Sequence, residues 1–276
     1  MAMASSYLRK HIFLPQDHGS WVFIFSPLFV GIFAGNQFTL VSLSLVVAVV
    51  AAFLIRQPVT MAVKAYAGRR TKSDIPAALV WMVVYAIILL LALHELVNAG
   101  FGYMLVLGIP GVFVFAWHLR LISQRQERRQ VNVEIIATGV LSLAAPAAYW
   151  VGMGRYDPTG WWLWILVWLQ TAASILHAYM RLEQRELREV PPSRELLNLG
   201  LPALIYTTLN LIMTLSLGLA SSLPPLLFIP YLVQWLETVW GVFHPAIQWK
   251  PTRIGIRQLI VSTLWTILFI ATWRIG

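Results

Sequence analysis

The chain has 276 residues, of which 59% are hydrophobic and 11% charged, with thirteen Trp and thirteen Phe. That balance excludes an ordinary soluble domain, and the net charge of +9 does not argue for nucleic acid, because the cations alternate with apolar stretches instead of forming one basic domain. Cysteine is absent, which removes disulfides, thiolate nucleophiles and Cys-held metals.

Arg9 and Lys10 precede the first apolar run, which is full membrane length and shows no small-x-small cleavage pattern, so it reads as a retained helix. A hydrocarbon core of about 30 Å takes roughly 20 apolar residues per helix. With that ruler nine spans are predicted in order, at 18–36, 39–62, 76–97, 101–121, 132–152, 160–181, 197–218, 222–243 and 255–273. The expected architecture is all-α, a polytopic membrane helical bundle forming a single transmembrane domain over 1–276.

Loops alternate between two sides, and Lys and Arg near span ends gather in the cytoplasm. Of the 20 Lys and Arg, only Arg155 and Arg274 fall on the second side. The N-terminus is therefore expected in the cytoplasm and the C-terminus outside, in a multi-pass protein of the cell inner (plasma) membrane. The long connections 63–75, 122–131, 182–196 and 244–254 share the basic side, so chemistry is expected there. Trp161, Trp162 and Trp164 open the sixth span and are expected at an interface. Pro202 in the seventh span and Pro224, Pro225 and Pro230 in the eighth are able to break a helix, each removing a backbone donor.

Ionisable side chains at span ends are costly and default to functional hypotheses. In chain order these are Asp17 and His18; Arg56, Gln57, Thr60, Lys64 and Tyr66; His118, Arg120, Asn132 and Glu134; His177, Tyr179, Arg181 and Glu183; and Glu237 and His244. Arg56, Thr60 and Lys64 recur at i, i+4 and i+8, one stripe of a helix. Two cations on that stripe repel unless an anion lies between; snorkelling accounts for Lys64, close to the loop, as well as a site does, and less well for Arg56, nearly two turns deeper. His177 and Arg181 are another i, i+4 pair, followed by Glu183 and a run of alternating charge to Glu189 that reads as a solvated helix extension. Asp17 has a second explanation as a helix cap. A lone His on an apolar helix is more often a packing residue than a metal ligand, and no metal site is assigned.

The opening stretch LPQDHGSWVFIFSPLFVGIFAG, residues 14–35, resembles the motif P-x-x-H-G-(A or S)-W followed by a spaced Pro and Gly at the start of the YwiC-like family of bacterial membrane proteins. The resemblance implies a multi-span membrane protein and brings no activity with it. More distantly the chain is similar to the UbiA superfamily of intramembrane prenyltransferases, with nine helices and a cytoplasm-facing mouth. In that superfamily two Asp-rich motifs hold Mg²⁺ against a prenyl diphosphate. Here the first motif's place is taken by Arg56, Gln57, Thr60 and Lys64, and the second falls on HAYMRLEQRE, where only Glu183 and Glu186 are acidic. Magnesium needs oxygen ligands, so no cofactor is assigned.

The function expected from these residues is the holding, or transfer without the usual Mg²⁺ site, of an isoprenoid or other anionic lipid-like molecule in a basic pocket at the cytoplasmic face. Asp17, His18, Arg56, Thr60, Lys64, Arg120, Glu134, Tyr179 and Arg181 are its candidate ligand contacts, and His18, His177 and Glu183 its candidate proton-handling groups. A multi-span transporter and a structural subunit of a membrane complex are the competing classes. The partner expected in every case is the lipid bilayer.

Overall fold

The computed structural model describes residues 10–15, 21–126 and 130–276. Asp17, His18 and Ser20, with the cap and contacts expected of them, lie outside the described residues, as do Arg128 and Arg129. Every described element is helical. In order they are α1 (Lys10–Phe13), α2 (Val22–Ala34), α3 (Leu40–Tyr66), α4 (Ile75–Leu96), α5 (Gly108–Ser123), α6 (Val131–Leu141), α7 (Ala144–Met153), α8 (Thr159–Gln184), α9 (Ser193–Leu219), α10 (Phe228–Phe243) and α11 (Pro251–Ile275).

Local chemistry sets the ends and breaks. The Thr39 side chain and the Ser42 backbone form a capping box with the reciprocal pair at the start of α3. Pro251 opens α11, where its missing N–H costs nothing. Asp157 Oδ1 accepts the Thr159 N–H at 2.8 Å just ahead of α8. The Thr159 hydroxyl and N–H together hold that carboxyl below the usual carboxylate range. Pro146 cannot donate to the Ser142 carbonyl, and the helix resets between α6 and α7 at that point. Gly100, at φ 90°, turns the chain between α4 and α5, so helix α5 proper begins at Gly108, later than the 101 expected. Pro202 lies inside an unbroken α9, and Pro230 sits in the first turn of α10, where its N–H is not needed, so neither breaks a helix.

Among the described residues six helical runs are long and apolar enough to cross a membrane: Leu40–Tyr66, Lys72–Ser123, Val131–Met153, Thr159–Gln184, Ser193–Leu219 and Pro251–Ile275. The second of these contains both α4 and α5. Helices α2 and α10, at 13 and 16 residues, are shorter than a full crossing needs.

The apolar core runs through Ile24, Leu28, Leu163, Leu166, Tyr231, Trp265 and Phe269, joining α2, α8, α10 and α11. Beside it, α2 and α7 cross at backbone contact. A Cβ on Gly31 would lie 2.2 Å from the Ala145 carbonyl oxygen, and one on Gly35 would lie 3.0 Å from Gly152 Cα. Gly31 and Gly35 face Ala145, Ala148 and Gly152, the small-residue spacing that lets helices approach closely in lipid.

Contacts sort the turns into two ends. At one, His11 Nε2 lies 3.9 Å from Asp74 Oδ2, Arg69 donates to the Ile122 carbonyl at 2.7 Å, Tyr179 donates to Glu134 at 2.7 Å and Arg185 to the Trp249 carbonyl at 3.2 Å. At the other, Gln37 N–H donates to the Gly152 carbonyl, Tyr103 packs on Trp150 and Tyr156, and Arg274 donates to the Phe33 carbonyl. The first is the basic end.

Candidate functional site

Helix α8 carries a polar stripe that composition hides: Gln170, Ser174, His177, Arg181 and Gln184 recur at helical spacing and are all buried. They face α10 and α11. Gln170 donates to Gln234 Oε1 at 2.9 Å, and Gln234 donates in turn to Thr238. Gln258 donates to the Ser174 carbonyl and hydroxyl, and Ser174 and Ser262 lie hydroxyl to hydroxyl at 3.4 Å. Deeper still, Ser26 of α2 meets Thr266 at 2.6 Å. Fourteen residues of α8 at about 1.5 Å each make this column about 21 Å deep. Below it Leu166, Tyr231, Trp265 and Phe269, all essentially inaccessible, close the interior, and the Tyr231 hydroxyl is committed to the Leu166 carbonyl.

The charged part lies at the basic end. Arg181 is 1% exposed. Its Nη1 donates to Gln184 Oε1 at 2.8 Å, to the Gly241 carbonyl at 2.7 Å and to the His244 carbonyl at 2.6 Å. A cation on the last carbonyls of α10 is favourably placed, since those groups have no helical partner. Gln184 reinforces the same cap by donating to the Gly241 carbonyl and accepting from Ala246 N–H. One turn deeper, His177 Nε2 lies 3.6 Å from Glu237 Oε1. Arg257 of α11 grips Glu237 with both prongs, Nη2 to Oε2 at 2.8 Å and Nε to Oε1. Gly241 makes room for the imidazole: a Cβ there would lie 2.8 Å from His177 Cε1.

Two indoles stand between this buried set and the surface. Trp240 packs against Arg181 at 5.5 Å and Arg257 at 3.7 Å; Trp249 packs against Arg181 at 4.9 Å and Arg253 at 3.8 Å. Outside them a groove of about 540 Å³ is lined by Lys250, Arg253 and Arg257, with Trp249, Ile256 and Ile260 among its apolar walls. Ile256 and Ile260 are exposed, and so are Leu264 and Ile267 further along the same helix face. Five buried side-chain polar atoms have no hydrogen-bond partner among the described residues: Gln170 Oε1, His177 Nδ1, Arg181 Nη2, Gln258 Oε1 and Trp265 Nε1. All five belong to α8 or α11.

The expected site residues are distributed unequally. Tyr179 and Glu134 meet, but on the α6 side of α8. Arg56 is half-buried over the Phe53 ring at 4.8 Å. Thr60 and Lys64 are partly buried on the same helix, and Arg120 is exposed at the end of α5. Helix α3 packs mainly on α4, and α8 on α6, α7 and α9, with no extended contact between α3 and α8. Among the described residues Arg181 is the one expected anion contact that lies within this cluster; its Nη1 is spent on Gln184 and two backbone carbonyls, and its Nη2 has no partner. Glu183 is exposed, and α8 ends at Gln184, so the charged run does not prolong the helix. Arg181 and Gln184 turn inward to cap α10, which the alternating charge pattern does not reveal. Of the belt tryptophans, Trp162 is exposed, whereas Trp164 donates to the Gly139 carbonyl at 2.8 Å within the bundle. Lys250, Arg253, Arg257 and Gln258 were legible only as topology markers or not at all; their signal is a cation or amide at each turn along the start of an otherwise apolar helix.

The long apolar helices and the polar interior at one end define a multi-pass helical membrane protein. Residues 14–149 match the family model described as YwiC-like protein, a match that ends short of α8. No curated protein and no solved structure matches the chain. Among the described residues no three His, Asp or Glu side chains gather as a metal would need. Arg56, Thr60 and Lys64 offer no carboxylate, and Glu183, at the end of α8, and Glu186, in the turn after it, are both exposed, so this donor set does not fit a hard divalent cation.

Proposed function

We propose that this chain is a single transmembrane domain of nine crossings in the cell inner membrane, N-terminus cytoplasmic and C-terminus outside, that holds an anionic amphiphile at its basic end. The alternation of turns between two ends supports the crossing count, and the excess of Lys and Arg at one end supports the orientation. The phosphate-bearing head of an isoprenoid or lipid phosphate occupies the groove on Lys250, Arg253 and Arg257, and its chain follows Ile256, Ile260, Leu264 and Ile267 along α11. The observation that carries this reading is the charge imbalance: Arg181, Arg253 and Arg257 crowd two indoles, and Glu237 is the carboxylate that reaches them. Arg holds phosphate through its planar fork without a metal.

A labelled prenyl diphosphate tests it, with Mg²⁺ and with chelator, on the wild type and on two double variants, Lys250→Ala/Arg253→Ala and Arg56→Ala/Lys64→Ala. Binding that survives chelator and is lost only in the first variant supports the groove. Loss confined to the second variant moves the site to α3, and absence of binding throughout rejects the reading. Transport is the competing class because the polar column descends so far; its closure by Tyr231, Trp265 and Phe269 favours a pocket open at one end.

A further inference from the structure

We propose that occupation of the groove is linked to uptake of a proton by the buried Glu237–His177 pair, an inference that rests on the anion site above and gives it a regulator. Arg257 belongs to both places. Its Nε and Nη2 edge clasps Glu237, whose side chain is 12% exposed, while the residue also lines the groove. A guanidinium has five N–H donors, so the Nη1 edge remains for an anion. An anion there and the Glu237 carboxylate are two negative charges on one guanidinium, and in a buried setting their repulsion is poorly screened, so a proton on the pair relieves what the anion imposes.

The surroundings let the change be felt. His177 Nε2 is 3.6 Å from the same carboxylate and its Nδ1 is unpartnered, so one proton can be held by the pair. The other charged and titratable groups come from every neighbouring helix. Helix α8 presents Arg181; Tyr179 of α8 is turned to Glu134 of α6. Helix α11 presents Arg253 and Arg257, and α10 adds Tyr231, bound to the Leu166 carbonyl, and His244 at its end. Helix α9 supplies Tyr206 and, near its start, Arg194 and Glu195, and Val22–Ala34 of α2 supplies none. The arginines surround the pair with positive charge. A groove anion is the one added charge of the opposite sign.

Linkage makes the effect reciprocal. A proton on the pair removes negative charge next to the groove, so anion affinity rises as pH falls, by at most about tenfold per pH unit for one proton. The probe is dioctanoyl phosphatidylglycerol, whose phosphodiester charge stays constant from neutral to mildly acidic pH. It is titrated into the full chain in phosphatidylcholine nanodiscs and followed by calorimetry in two buffers of different ionisation heat. The expected result is tighter binding at lower pH with a buffer-dependent heat that reports net proton uptake, and Glu237→Gln that still binds with neither dependence. Binding that is independent of pH and buffer overturns the linkage and leaves the groove standing. No binding at any pH overturns the groove itself. Uptake that persists in folded Glu237→Gln overturns the linkage to this pair. If that variant does not fold, difference infrared spectra of the wild type decide: a protonated-carboxyl or imidazolium band appearing with lipid supports the proposal, and an unchanged spectrum rejects it.

Discussion

The crossing of α2 on α7 and the junction of α8 with α10 and α11 solve the same problem in opposite ways. In the first, inside the segment matched by the family model, Gly31 and Gly35 bring backbones together and no charged side chain takes part. In the second, beyond that segment, the helices are joined by amides, hydroxyls, an imidazole, a carboxylate and two guanidiniums. Lipid tails are as apolar as Leu, so helix association there relies on close packing and hydrogen bonds instead of a hydrophobic drive. Close packing alone is sufficient for a scaffold. Burying Arg181 and leaving five polar atoms without partners among the described residues is costly, and the α8–α11 side is where the bundle bears that cost.

The sharpest way to break this contrast is to exchange an inner and an outer cation for Met. Arg181→Met strands two backbone carbonyls and Gln184 and is expected to cost about 3 kcal/mol or more, whereas Arg56→Met, half-exposed over Phe53, is expected to cost about 1 kcal/mol or less. Reversible unfolding in detergent measures both, and equal losses contradict the contrast. Next in size, Gly31→Ala forces α2 off the Ala145 carbonyl, which is backbone and cannot yield, at an expected cost of about 2 kcal/mol in the same assay. Gly241→Ala meets side chains, the edge of the His177 ring at 2.8 Å and the flexible Met180 methyl at 3.2 Å, so an expected loss of about 1 kcal/mol comes with a displaced imidazole, visible as a shifted His177 signal in nitrogen-15 spectra.

The smallest effect lies outside both junctions. Hydrogen bonds from Thr159 hold the Asp157 carboxyl below its ordinary range, so its contribution to stability is present above the aspartate range and is lost as pH falls through the lowered value. Asp157→Ala should therefore be slightly less stable than the wild type at neutral pH, and the difference should vanish in strong acid. A difference that grows on acidification reverses the sign and rejects this role.

Much of the frame was legible because apolar length and Lys/Arg distribution are properties of the chain itself. All the helices from α2 onward overlap an expected span, and the misjudged start of α5 traces to one left-handed glycine. The site was legible in fragments. His177, Arg181 and Glu237 stand out because charge inside an apolar run is conspicuous, and their partners do not. Gln170, Ser174 and Gln184 are ordinary residues whose meaning comes from their shared stripe. Arg253 and Arg257 read as topology markers until the fold sets them against Trp249 and Trp240. The stripe Arg56, Thr60 and Lys64 has equally good spacing, yet α3 carries it away from α8: periodicity shows which residues share a face and is silent on what that face meets.

The most direct test of the central claim is to map where an anionic lipid sits. A phosphatidylglycerol analogue with a photoreactive acyl chain, crosslinked to the protein in nanodiscs and located by peptide mass spectrometry, should label the stretch around Ile256 and Ile260, and labelling should fall in Lys250→Ala/Arg253→Ala. Labelling concentrated around Arg56 and Lys64, or spread evenly over lipid-facing residues such as Val112 and Phe113 without regard to that variant, would contradict it.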